Sequence, residues 1–167
     1  NQKLSESEER FRQMAENIRE VFWVLEKEPR RMIYISPLYE EIFGMKCEEM
    51  YRDHDSYLKV IHPEDKKMIA SRIGDFENET DYEYRIIRGK GEIRWLRSRT
   101  FPIRDKSGKP YRTAGIVRDI TEAKQAEIAL RESELKFRAI VENTVDGVAV
   151  YERGIKSNKM RMIDCND

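Results

Sequence analysis

Alternating apolar and polar positions predict five short β-strands within the first 120 residues. Two apolar segments, residues 21–25 and 32–35, flank a turn that contains Pro29, so they predict a β-hairpin. Three more strand-like segments follow a helical region and are joined by glycine-containing turns; they cover residues 82–87, 92–104 and 111–120. Short strands joined by hairpins are mostly antiparallel, and helices then cover one face of the sheet. The pattern therefore predicts an α+β domain.

Helical periodicity predicts one helix on each side of this region. Leu4, Phe11 and Ile18 recur every seven residues, which predicts an amphipathic N-terminal flanking helix over residues 1–19. Residues 121–141 carry acids and bases at i,i+4 spacing, a pattern that stabilises exposed helices. We therefore expect a connecting helix directly after the last strand.

Two further helix starts lie between the hairpin and the third strand. Ser36-Pro37 is typical of a helix start, with serine as the cap and proline in the first turn, and this helix is expected to end at Gly44. His62, followed by a proline and two acids, predicts a helix that runs to about Phe76. For His62 we favour a capping role over a metal or haem role, and we expect His54 to be a solvated surface residue.

The sequence contains an internal repeat. Phe11-Arg12 recurs as Phe137-Arg138, 126 positions later, and nine of the 21 positions from residue 6 to residue 26 match at this offset. A duplicated unit explains this register better than coincidence does. We therefore predict four segments: a flanking helix (1–19), a complete domain (20–120), a connecting helix (121–141) and the truncated start of a second domain (142–167).

Composition narrows the class of protein. The 32 Lys and Arg residues balance the 32 Asp and Glu residues, and this lacks the basic excess typical of nucleic-acid-binding domains. No apolar segment is long enough to predict a membrane span, and the N-terminal residues are too polar for a signal peptide. Cys47 and Cys165 form no metal-binding or redox pair motif. These observations favour a cytoplasmic protein without direct membrane contact.

Several motifs in this order resemble PAS domains. They are HPED (62–65), GEIRWLR (91–97), PIRD (102–105) and GIVRDIT (115–121), and they occur at the spacing of the PAS family. The variant with HPED and a long tryptophan-containing strand resembles the subgroup found in bacterial and archaeal sensor kinases. Residues 142–147 and 163–166 are similar to the start of a second PAS domain.

The resemblance implies a five-stranded antiparallel sheet in the order 2-1-5-4-3, cupped against small helices. It also implies a ligand pocket between the sheet and the helices. The residues expected to line that pocket are Ile35, Phe43, Tyr82, Tyr84, Ile86, Leu96, Ser98, Thr100 and Val117.

The long strand over residues 92–104 has two faces that differ in hydrophobicity. Hydrophobicity alone would turn the face with Trp95 and Phe101 inward. The family pattern implies the reverse, with Trp95 and Phe101 on the outer face of the sheet under a terminal helix or a second subunit. We expect Phe11 on the flanking helix to belong to this outer, dimer-forming surface.

The resemblance also assigns a role to the junction between the last strand and the connecting helix. In the family, the motif Asp119-Ile120-Thr121 couples the two elements, and Asp119 can cap the helix. Ala123, Leu130 and Phe137 are spaced by seven residues, which is consistent with a signalling helix that pairs in a dimer. A solvated linker helix is the alternative interpretation.

The motifs of enzymes and of common cofactors are missing from the sequence. No catalytic triad, phosphate-binding loop or phospho-accepting histidine motif is present, and we predict neither a catalytic nor a metal site. The resemblance disfavours haem, because the helix before the third strand lacks a histidine. It also disfavours covalent flavin, because the cysteine motif of flavin photoreceptors is missing. A noncovalent small molecule or an empty core remains open.

Together these features predict a sensory PAS domain that responds to a small ligand or partner. We expect it to relay the change through the helix at 121–141 to a downstream effector, a histidine kinase above all. The alternatives are a ligand-free spacer that dimerises, or the input domain of a cyclase or transcriptional regulator. The expected partners are a second copy of the chain and the neighbouring domains of a parent protein.

Overall fold

The structure, a computed structural model, describes residues 19–143, 149–153 and 160–165. The predicted flanking helix over residues 1–19 and Phe11 therefore lie outside the described residues, apart from Arg19. Backbone contacts divide the chain into a first unit, residues 1–122, and a second unit, residues 123–167.

The first unit is built on one antiparallel sheet. Its strands are β1 (Val21–Glu26), β2 (Arg31–Ile35), β3 (Thr80–Arg88), β4 (Glu92–Arg104) and β5 (Pro110–Asp119). Their spatial order is β2-β1-β5-β4-β3, and every neighbouring pair is antiparallel. The predicted fold class, strand order and hairpins are confirmed.

Short helices fill the chain between β2 and β3. They are α1 (Leu38–Phe43), α2 (Cys47–Arg52), a 3-10 helix (Ser56–Lys59), a second 3-10 helix (Pro63–Asp65) and α3 (Lys66–Ala70). Their apolar side chains, including Tyr39 and Ile69, form one core with Ile86, Leu96 and Val117 from the sheet. Gly44 ends α1 in the left-handed conformation at a φ of 69°, as predicted, because glycine lacks the Cβ that disfavours it.

Two predictions in this helical region need correction. Ser36 does not cap α1; its hydroxyl accepts a hydrogen bond from the Phe22 N–H at 3.0 Å, so the residue connects the helix start to β1. The helix after His62 ends at Ala70 rather than near Phe76, and Gly74, at a φ of 82°, lies in the turn that follows. Phe76 is nevertheless buried, so its apolar position reflects the core and not a helix face.

The capping role predicted for His62 is confirmed. Its Nδ1 accepts a hydrogen bond from the Glu64 N–H at 3.3 Å, at the start of the second 3-10 helix. His62 also belongs to a segment that follows the outer edge of β3.

β3 is the last strand of the sheet, and the segment from Val60 to Asp65 covers its outer edge. The Ile87 N–H donates to the Val60 carbonyl at 2.7 Å, and the His62 N–H donates to the Arg85 carbonyl at 2.9 Å. The Asp65 carboxylate accepts from the Arg85 N–H at 2.7 Å. An edge strand with free N–H and C=O groups can pair with other chains, and these bonds protect β3 from such pairing.

The second unit contains most of helix α4 (Thr121–Asn143) and a hairpin of β6 (Ala149–Arg153) and β7 (Met160–Cys165). The two strands pair antiparallel, with Ala149 opposite Cys165. The sheet of the first unit also begins with a hairpin, formed by β1 and β2. That the hairpin begins a second domain of the same kind remains a prediction. None of the helices in the described residues is long and apolar enough to cross a lipid bilayer.

Candidate functional site

A cavity of about 100 Å³ lies between the inner face of the sheet and the short helices. Most residues predicted to line a pocket surround it: Ile35, Phe43, Tyr82, Tyr84, Ser98, Thr100 and Val117. Ile86 and Leu96, which were also predicted, are fully buried in the adjoining core and are not part of the cavity wall. The inner face of β4 is thus the one that carries Leu96, Ser98 and Thr100.

One wall of the cavity depends on a close approach between two strands. Trp23 in β1 lies directly opposite Gly115 in β5. A Cβ atom built on Gly115 would overlap Cε2 and Cζ2 of the Trp23 indole, so the ring rests directly on the glycine. The indole can therefore lie flat against the sheet and line the cavity.

Aromatic side chains supply much of the remaining wall. Tyr39 and Phe43 stack with ring centroids 4.5 Å apart, one turn apart on α1. Burial raises the pKa of Tyr39, Tyr57 and Tyr84 well above the ordinary value of a phenol. These tyrosines are neutral at physiological pH, so they contribute no negative charge to the cavity.

Polar and charged groups also line the cavity. Arg30, at the end of the β1–β2 turn, donates to the Asp55 carboxylate at 3.1 Å. The Arg72 guanidinium lies 4.8 Å from the centroid of the Tyr82 ring. Thr113 is only 4% exposed, and all of these residues line the cavity.

Sequence reasoning missed these polar groups. The alternation of Thr113, Gly115 and Val117 in β5 is a signal that could have placed Thr113 on the inner face. No local signal brings Arg30 or Arg72 to the cavity, because the fold positions both through contacts distant in sequence. His54 was expected to be solvated, but its side chain is only 23% exposed and also lines the cavity.

The outer face of the sheet carries Trp95 and Phe101, as the family pattern implies. Both are half-buried, and arginine side chains lie over them: Arg85 is 5.3 Å from the Trp95 ring and Arg99 is 5.4 Å from the Phe101 ring. The inward orientation suggested by hydrophobicity alone is wrong, because the buried residues of β4 are Leu96, Ser98 and Thr100. Coverage of this face by a second subunit or a terminal helix remains a prediction.

The junction between β5 and α4 is a compact hydrogen-bonded group. The Asp119 carboxylate accepts from the Thr121 N–H at 2.9 Å and from the Thr121 hydroxyl at 2.6 Å. The Thr121 hydroxyl oxygen accepts from the Trp95 N–H at 2.9 Å, and the Ile120 N–H donates to the Trp95 carbonyl at 2.9 Å. Arg94 completes the group with an ion pair to Asp119 at 3.0 Å. The last residues of β5 and the first of α4 are therefore fixed to β4.

Among residues 19–143, 149–153 and 160–165, no three side chains of the metal-binding types come together in a cluster.

Known proteins that resemble this chain agree with the observed architecture. A family model described as "PAS fold" matches residues 32–117, from β2 to β5. The chain is 30% identical over 102 residues to the sensor protein FixL of Bradyrhizobium diazoefficiens, across 59% of this chain and 20% of that protein. It is 27% identical over 137 residues to the methanogenesis regulatory histidine kinase FilI of Methanothrix harundinacea, across 78% of this chain and 15% of that protein.

A solved structure agrees with these matches. The crystal structure of a sensory box histidine kinase/response regulator from Burkholderia thailandensis superposes with a TM-score of 0.58 at 28% identity, covering 78% of this chain and 98% of that chain. The chain spans a fifth or less of the length of the two curated relatives.

Proposed function

The chain belongs to the PAS family, and we propose that its first unit is the sensory module of a larger signalling protein. A small molecule in the cavity changes the packing of β4 and β5. The junction at Asp119 and Thr121 then passes the change to α4, and α4 passes it to an effector. We propose a histidine kinase as the effector, because relatives that match the chain are described as a histidine kinase and as a sensor protein.

One observation carries this proposal: the same two strands form the cavity wall and hold the start of α4. Ser98 and Val117 line the cavity from β4 and β5, and they lie opposite each other in the sheet. Two to three residues further along the same strands, Trp95 and Asp119 bind the first residues of α4. A change in the spacing of the strands at the cavity would therefore displace the helix start.

Replacing Asp119 with alanine is expected to shift the signalling state without unfolding the domain. The chain would be fused through α4 to the catalytic half of a histidine kinase, and autophosphorylation would be measured. We expect a change in basal autophosphorylation of at least about fivefold, the lower end of typical coupling energies. The physical reason is that Thr121 loses its acceptor and Arg94 loses its ion pair.

Asp105 provides a matched control for this experiment. Its carboxylate also accepts hydrogen bonds from backbone N–H groups two and four residues later, but it lies in the turn between β4 and β5, away from α4. Asp105→Ala should leave autophosphorylation within about twofold of the parent fusion. Equal effects of the two substitutions would contradict the relay through Asp119.

We further propose that α4 pairs with its counterpart in a second copy of the chain. Leu130 and Ile140 are 63% and 62% exposed, and Phe137 is 46% exposed. Together with Ala123, Ala126 and Ser133, they occupy positions spaced alternately by three and four residues, the spacing of a dimer seam. The same surface supports the alternative of a ligand-free dimerising spacer.

Charged substitutions on this seam are expected to dissociate the dimer. In sedimentation equilibrium, the parent chain should be dimeric and the variant L130E/F137E monomeric, because four buried charges would face one another without partners. The control is I128E/L135E, since these residues are also 51% and 56% exposed but lie off the seam. A monomeric parent chain, or equal dissociation of the control, would contradict the proposal.

The remaining alternatives differ from this proposal either in the effector domain or in whether the cavity binds a ligand. A cyclase or a transcriptional regulator in place of the kinase would use the same junction and helix. A spacer without a ligand would keep the dimer but would bind nothing in the cavity.

A further inference from the structure

We propose that the cavity binds a small carboxylic acid whose apolar part is about the size of one ring. This inference rests on the proposed function, because it takes the cavity as the sensory site. It adds the chemical class of the ligand, which follows from the groups that surround the cavity.

The size and the walls of the cavity define the apolar part. Its volume is about 100 Å³, and its walls include Trp23, Tyr39 and Phe43. Cavities on the order of 150 Å³ with apolar walls admit benzene. The smaller volume here makes a single ring, or a branched chain of similar size, the upper limit for the apolar part, and a flavin or a haem would require a much larger space.

A buried hydroxyl indicates that the ligand also carries an oxygen. Thr113 lines the cavity, is 4% exposed, and its Oγ1 has no hydrogen-bond partner among the described residues. Buried polar groups in folded proteins nearly always have a partner. A ligand oxygen within reach of Thr113 would provide one.

Two arginines define the charge of that oxygen-bearing group. Arg30 uses one end of its guanidinium for Asp55, while its Nε is buried and has no partner among the described residues. Arg72 lies over Tyr82 and forms no ion pair with any residue that the structure describes.

Asp75, the nearby acid on the cavity wall, forms no ion pair with Arg72 among the described residues. Both oxygens of Asp75 are bound by Asn78, and one of them also accepts from the Glu77 N–H. The buried cavity groups left without partners are thus one donor, Arg30 Nε, and one hydroxyl, that of Thr113, while the exposed Arg72 adds a second cation to the wall. Arginine pairs with planar carboxylates through parallel hydrogen bonds, so a carboxylate is the group that complements these donors on the cavity wall.

Calorimetric titration of the whole chain with benzoate tests the inference. We expect benzoate to bind, and benzamide and benzylammonium, which have the same ring without the negative charge, to bind at least about tenfold more weakly. Thr113→Val and Arg72→Gln should each raise the dissociation constant of benzoate by about tenfold, the effect of losing a hydrogen bond to a charged group.

Two controls separate binding from structural roles. Arg99→Gln removes an arginine that also lies over an aromatic ring, Phe101, but on the outer face of the sheet, so benzoate binding should not change. Thr113→Val should not lower the melting temperature without ligand, because the hydroxyl has no partner in the described structure to lose. A lower melting temperature for Thr113→Val would assign the hydroxyl a structural role and overturn its part in binding.

Other outcomes would overturn the proposed ligand class but would leave the proposed sensory function untested by this experiment and open to the fusion assay. Equal binding of benzamide and benzoate would exclude the carboxylate, and weakening by Arg99→Gln would place the site elsewhere. If none of the three ring compounds binds, the proposed ligand class fails. The Asp119 fusion experiment would still decide independently whether the domain transmits a signal.

Discussion

Replacing Gly115 with alanine is expected to lower the free energy of unfolding by about 3 kcal/mol, in the upper part of the range for overpacked cores. The added methyl group would overlap the Trp23 indole, which rests on Gly115 across the β1–β5 pair. Neither residue can move away easily, because both are held in the backbone register of the central strands. Urea unfolding of the whole chain measures this loss.

A double mutant assigns the loss to the contact between these two residues. In a Trp23→Leu background the overlapping indole atoms are gone, so Gly115→Ala should be neutral or stabilise the domain by up to about 1 kcal/mol, since alanine restricts the unfolded chain. Additive losses in the double mutant would show that the indole is not the cause.

Gly108 is the matched control for glycine itself. It lies in the turn between β4 and β5 at a φ of 83°, with nothing within 4 Å of a built Cβ. Gly108→Ala should cost about 1 kcal/mol in both backgrounds, because its cost comes from the left-handed backbone and not from crowding. If the loss of unfolding free energy caused by Gly108→Ala differed between the parent and the Trp23→Leu background, crowding by the indole would not be specific to Gly115.

The contact between Trp23 and Gly115 also illustrates where sequence reasoning ends. The glycine-containing turns on either side, residues 88–91 and 105–108, predict β4 with its observed limits, Glu92–Arg104. The pairing of β1 with β5 joins Val21 to Val117, and no local pattern encodes that register. The strand order could be predicted only because several motifs resemble one family.

Competition for hydrogen-bonding partners explains why the predicted helix cap at Ser36 was wrong. Ser36 satisfies the local rule for a helix cap, but the Phe22 N–H, 14 residues away, takes its hydroxyl instead. The cavity shows the same limit, since Arg30, Arg72 and Thr113 come from three separate parts of the chain. Residues on one strand face, such as Ser98 and Thr100, were within reach of sequence reasoning because alternation alone places them together.

Replacing Asp65 with alanine is expected to destabilise the domain by about 2 to 3 kcal/mol, the range for hydrogen bonds to charged groups. Asp65 Oδ1 accepts from Arg85 Nη2 at 2.7 Å, while its Oδ2 accepts from Arg85 Nε at 3.0 Å and from the Arg85 N–H at 2.7 Å. The side chain of Asp65 is 15% exposed, so water replaces these bonds poorly. Glu64 keeps its own bond to Arg85, which limits the loss.

Asp81 offers a matched comparison on the neighbouring part of the sheet. It also forms a two-bond pair with an arginine, Arg97, but the two side chains are 41% and 50% exposed. Exposed pairs contribute about 0 to 1 kcal/mol, so Asp81→Ala should change the unfolding free energy far less than Asp65→Ala. Equal losses would show that coverage of the β3 edge gives Asp65 no special role.

The pH dependence of unfolding separates the contribution of the Asp65 charge to stability from the contribution of its packing. Hydrogen bonds from Arg85 lower the pKa of Asp65 below its ordinary value, and burial opposes them only in part. A carboxyl with a lowered pKa stabilises the fold fully above its unfolded pKa of about 3.9, and this contribution disappears as the pH falls below that value. Asp65→Asn should therefore lose stability at pH 7, and its difference from the parent chain should shrink as the pH falls below about 4 and through the lowered pKa of Asp65. A constant difference between the two across this range would mean that Asp65 acts through packing, not through its charge.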